Sequence, residues 1–133
     1  MSVIESVLAE VIRIAGTINP VPYATIKTGA LPADNGLCMA LTPAAAITRH
    51  MDLGAEYGIT AVLNGKNVDQ FLLSDTLNRI HEKLTQNKAF NTVTGAQITS
   101  VETVSMPNPI GREDGGQWLY GSSIRIKFYY RKS

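Results

Sequence analysis

The chain has a single cysteine, Cys38, in 133 residues, which excludes an internal disulfide and any metal site built from several thiolates. Charge is scarce too, at 17% of residues. Twelve bases against eleven acids leave a formal net charge of +1, too little for a whole-body field that steers the chain toward nucleic acid or a membrane. No apolar run is long enough to span a bilayer, and the N-terminus has acids where a secretory leader needs bases. Synthesis in the cytoplasm is therefore expected. No internal repeat or low-complexity tract appears. With 44% apolar residues and so small a net charge, the chain is not disordered over most of its length. Its size suits one domain, residues 1–133, with a real core.

What is present is periodicity. Val3, Ile4, Val7, Leu8, Val11 and Ile12 follow the three-and-four spacing of one buried helix face. Ser2 with Glu5 has capping-box spacing, Gly16 is a plausible stop, and Pro20 and Pro22 forbid continuation. A second helix is expected from about Asn67 to Gln86. Leu73, Leu77, Ile80 and Leu84 form its stripe, Asn67 and Gln70 have capping-box spacing, and Asn87 and Lys88 suit its C-terminal end. Asn64-Gly65 is also a hairpin signal. The competing reading makes Val68–Leu72 a strand and starts a shorter helix at Ser74, and Phe71, off the stripe, favours it.

Strand-like runs fill the rest. Tyr23–Thr28 and Leu37–Thr42 are separated by a turn-rich stretch, and Pro43 with its three alanines reads as a break. Ile47–Met51 and Glu56–Leu63 flank a turn at Asp52-Leu53-Gly54, with Ile59, Ala61 and Leu63 on one face. Gln97–Val104 changes apolar parity between Ile98 and Val101, which predicts a bulge near Thr99-Ser100. In the last run Ile124, Ile126, Phe128 and Tyr130 alternate with Arg125, Lys127, Tyr129 and Arg131. Between these two arms, Ser105–Gly121 holds two prolines and several glycines and reads as a long loop, functional or disordered. The order of helix, strands, helix and hairpin does not alternate strand with helix. It predicts an α+β fold: a mostly antiparallel sheet with two helices packed on one face and a long C-terminal hairpin.

A search for reactive chemistry finds little. His50 and Asp52 offer two ligands and no third. His81 flanks the second helix stripe, as a half-buried structural histidine would. Cys38 lies in an apolar strand with no electropositive neighbour to activate a thiol. Gly111-x-x-x-Gly115-Gly116 lacks the lysine of a phosphate loop and precedes no helix. Glu113 and Asp114 are adjacent in the loop, where nothing fixes their protonation states apart. No catalytic residue, metal or cofactor is expected. Two features remain. Arg125, Lys127 and Arg131 form a cationic strand face that can touch phosphates, or simply protect a terminal strand from edge pairing. Trp118 and Tyr120 at the loop exit are candidate interface anchors or core residues.

Several stretches together resemble a known family. They are Met51-Asp52-x-Gly54 leading into Glu56–Val62, Lys66-Asn67-x-Asp69-Gln70 opening the helix that holds Leu77-Asn78-x-Ile80, Thr99-Ser100-Val101-Glu102, and Gln117-Trp118-x-Tyr120 with Ile124–Tyr130. In these the chain is similar to the small minor capsid or tail-terminator proteins of long-tailed bacteriophages and prophages of Gram-positive bacteria. The resemblance implies a non-enzymatic structural subunit, assembled in a bacterial host and located at the neck of the virion. It would form a homo-oligomeric ring, six-fold in the family, that caps the tail tube. Its implied partners are further copies of itself, the major tail tube protein and the head connector, with non-specific contact to the genomic DNA in the lumen. Arg125, Lys127 and Arg131 then become candidates for the lumen or a partner. Glu113, Asp114, Trp118 and Tyr120 become candidates for the subunit interface. A head-closure protein, or a small module binding nucleic acid without sequence preference, are the alternatives.

Overall fold

The computed structural model describes residues 3–31, 35–49 and 54–131, and the side chains of all of these except 42–49, 54, 55 and 131. The element order is α1 (Val3–Ala15), β1 (Ile26–Thr28), β2 (Gly36–Arg49), β3 (Gly54–Asn67), α2 (Gln70–Gln86), β4 (Ala96–Arg112) and β5 (Trp118–Arg131). The five strands form one sheet in the order β1-β2-β3-β5-β4. Only β1 runs parallel to its neighbour; every other pairing is antiparallel. The expected α+β class and C-terminal hairpin are therefore found.

Register explains the core. Met39 lies opposite Leu63, Ala61 opposite Ile124, Ile59 opposite Ile126, and Phe128 between Tyr57 and Ile98. These side chains share one face by strand alternation. With Leu73, Leu77, Ile80 and Leu84 of α2 and Val7, Leu8, Val11 and Ile14 of α1, they make one hydrophobic cluster. The α2 stripe is the one read from the sequence. On α1 the buried stripe is turned from the expected one: Ile14 and Ala15 are buried, whereas Ile4 is 38% exposed. Ile18, past the helix end, also joins the core. The stop at Gly16 holds, its N–H donating to the carbonyl of Ile12.

The opening of α2 differs from the capping box expected at Asn67. Asp69 is the cap, and its Oδ1 accepts from the backbone N–H groups of Phe71 and Leu72. Asn67 instead accepts from the N–H of Asp69. Val68–Leu72 is not a strand, and Ser74 lies inside the helix.

Three supposed interruptions turn out to be strand. Pro43 lies within β2, where the register against β3 shifts between Leu41 and Ala45; such irregularities are where proline is tolerated in a sheet. Asn64-Gly65 is not a turn but the far end of β3, opposite Cys38 and Leu37. Ser105–Gly121 is not a loop. β4 continues to Arg112, β5 starts at Trp118, and only the turn 113–117 lies between. β4 stays paired with β5 through four register shifts, the first between Ile98 and Ser100 as expected. The short first strand covers Ile26–Thr28 rather than the whole of Tyr23–Thr28. The turn expected at Asp52, the Ser2 cap, and His50 with Asp52 as a ligand pair lie outside the described residues.

Candidate functional site

The cationic strand face takes a different setting in three dimensions. β5 is an inner strand between β3 and β4, so its cations do not protect an edge. Glu102 of β4 sits opposite Arg125, and its carboxylate accepts from Lys127 Nζ at 2.9 Å. Half of the described cationic pair is thus neutralised from the other arm of the hairpin. Arg125 is exposed and has no ion-pair partner among the described residues. Arg131 pairs its backbone with Gly54; its side chain lies outside the described residues.

The hairpin tip is tied to the body. The Glu113 N–H donates to the carbonyl of Gln117, and Gly116 holds the turn at φ +90°, a conformation that favours glycine. Lys66 on β3 is buried, and its Nζ donates to Glu113 Oε1 at 2.8 Å. Asp114 is exposed. Trp118 is half-buried against the core, with the Arg112 guanidinium 5.1 Å from its ring centre. Tyr120 is buried, and its hydroxyl accepts from Gln70 Nε2 at 2.8 Å. Of the four candidate interface residues, then, Tyr120 belongs to the core, Trp118 mostly packs inward, and Glu113 and Asp114 face outward at a fixed turn.

Sequence reading missed a buried polar chain. His81 on α2 lies 2.9 Å from Thr103 Oγ1 on β4 through Nδ1, and 2.8 Å from Ser122 Oγ on β5 through Nε2. Ser122 Oγ donates to the carbonyl of Leu63 on β3 at 2.7 Å. Because the serine proton is used there, its oxygen accepts from Nε2–H. In the neutral ring Nδ1 is then left to accept from Thr103. Burial disfavours the charged ring, and the neutral form that fits these bonds carries its proton on Nε2. A serine hydrogen-bonded to a histidine is also the geometry of a nucleophilic pair. Here His81 is 2% and Ser122 5% exposed, so no substrate reaches them, and the chain joins α2 to three strands instead. Cys38 is also buried, and burial pushes its thiol up, away from the reactive thiolate. Among the described residues, no three of His, Cys, Asp or Glu gather where a metal ion would sit.

The buried imidazole makes stability depend on pH. Burial holds His81 below its ordinary value of 6.5, so the unfolded chain binds the extra proton first. Its contribution is complete above about pH 6.5 and falls as pH drops toward the folded-state value, by at most about 1.4 kcal/mol per pH unit. Glu10 acts lower. Its hydrogen bond from Arg13 holds the carboxylate below its ordinary 4.5, with a further bond from the N–H of Asn91, so its contribution is lost only below about pH 4.5. Urea midpoints from pH 7.5 to 5 should decline in the native chain, and His81→Gln should remove much of that decline.

No protein-family model and no curated protein matches the chain. Several solved chains match, and one of them aligns over 96% of this chain and 95% of its own, with a TM-score of 0.61 and 11% sequence identity. It is described as the virion of a native gene transfer agent particle. This chain shares its fold with a virion chain.

Proposed function

We propose that the chain is a structural subunit of a phage-type virion, a tail terminator that rings the end of the tail tube and docks it to the head connector. The observation that carries this reading is the end-to-end fold likeness to a virion chain. The shape of the molecule agrees with such work. Its polar clusters, His81 with Ser122 and Lys66 with Glu113, hold elements together rather than line a reaction chamber. Among its exposed features are side chains suited to contact: Phe71 at the start of α2, the turn at Asp114, and Arg125 on the outer sheet face. A lumen contact with DNA would fall to Arg125 among the described cations, touching phosphate without reading bases.

The test is assembly. The chain is co-produced with the tail tube protein of the same virion, and the tubes are viewed by electron microscopy. Tubes of fixed length with a ring of this chain at one end are the expected result. Tubes that keep growing with bare ends overturn the terminator role. Density at the portal rather than on the tube assigns the chain to head closure instead.

A further inference from the structure

Two exposed apolar patches differ in shape and in charge. The first lies where α2 begins: Val68, Phe71 and Leu72 are exposed, and Phe71 is 84% so. A phenylalanine on the first turn of a helix this open to water gains nothing from folding. The patch carries the Asp69 carboxylate, and Val68 shares a groove with Gly115 and Gln117 of the hairpin turn that bears Asp114. Neither Asp69 nor Asp114 has an ion-pair partner among the described residues. The second patch follows β4: Val104 and Met106 are more than half exposed. Val104 sits in the register shift between Thr103, opposite Ile124, and Ser105, opposite Ser123. Two residues before it, Glu102 lies opposite Arg125, an exposed cation with no ion-pair partner among the described residues.

We infer that these two surfaces meet each other between successive copies of this chain, the α2 start of one subunit seating on the β4 strip of the next. The patches are unlike, one helical with the exposed Asp114 carboxylate nearby and one strand-borne with the exposed Arg125 guanidinium on the neighbouring strand, so they complement one another better than either complements itself. A contact between unlike patches is head-to-tail and generates a ring or a filament rather than a two-fold dimer. Pro107 and Pro109 remove backbone donors from the strip, so side chains rather than an added β-ladder make the contact. This rests on the reading of the chain as a self-assembling virion subunit and names the surfaces that subunit uses.

The experiment uses Phe71→Asp and Met106→Asp, both at exposed positions, with circular dichroism melts to show that each variant folds. Self-association is followed by sedimentation velocity up to millimolar protein. The native chain should assemble, and each variant should lose affinity by about thirtyfold or more, the size of a hot-spot loss. Mixed together, the two variants should form a one-to-one pair that grows no further, because each keeps the face the other lacks. As a second readout, Asp114→Lys and Arg125→Glu should each weaken assembly, and the double variant should regain it. A native chain that stays monomeric, a variant that assembles as the native chain does, or a mixture that forms no pair overturns the inference. Rings that cap tubes despite both variants refute these surfaces and leave the terminator reading standing. Pairing in the mixture without tube capping does the reverse.

Discussion

Phe128→Ala is expected to lower the unfolding free energy by about 3–5 kcal/mol, the range for removing a buried aromatic ring. Phe128 is 1% exposed, lies in register between Tyr57 and Ile98, and stacks on the Tyr57 ring with centroids 5.3 Å apart and planes 15° from parallel. The substitution removes ring contacts with both neighbouring strands and leaves a void that the sheet cannot close without bending. Three positions earlier on the same strand, Arg125 faces the other side and is exposed. Arg125→Ala is expected to change stability by less than about 0.5 kcal/mol. Urea denaturation of both variants checks the pair, and equal losses would show that the inner and outer faces of β5 are wrongly assigned.

Gly65→Ala is the second large effect, and it acts by adding atoms. A Cβ at Gly65 would lie 2.6 Å from Leu73 Cδ1 and 2.9 Å from Leu37 Cδ2. Both leucines are fully buried, so neither methyl has free space to move into. Overpacking of this kind costs about 1–3 kcal/mol. The backbone here is ordinary strand, paired with Leu37 on one side and Tyr120 on the other, so the penalty is steric and tracks the neighbour. Leu73→Ala alone should cost about 2–5 kcal/mol. The double variant should cost clearly less than the two single losses together, because the shortened side chain makes room for the new methyl. Strict additivity in thermal or urea unfolding would show that α2 does not press on β3 at this point.

The same residue shows where the sequence was readable and where it was not. Periodicity speaks for single elements. Leu73, Leu77, Ile80 and Leu84 marked their helix, and the alternation from Ile124 to Phe128 marked its strand, because each pattern repeats along one axis. Gly65, Pro43 and the glycines and prolines between Ser105 and Gly121 were read as punctuation, since those residues usually end elements. Here tertiary context overrode the local preference. Gly65 is small because a helix crosses above it, and Pro43, Pro107 and Pro109 are carried by irregular stretches of strand beside register shifts. The polar contacts were illegible for another reason. His81 reaches Thr103 22 residues away and Ser122 41 away, and Lys66 reaches Glu113 across 47. No spacing rule joins such positions before the sheet order is known. The cationic face was legible as a list of residues on one strand, but Glu102, which draws Lys127 to itself, comes from another.

The two margins of the sheet have a consequence for solubility. One is β1, only three residues long. The other is β4, broken by four register shifts and two prolines. Both margins are interrupted, the part of β2 that β1 leaves uncovered by its register shift between Leu41 and Ala45 and β4 by its four shifts, which shortens any straight run of unpaired amides on which a foreign strand can template itself. Interruptions of this kind are one means by which a sheet blunts edge-to-edge association.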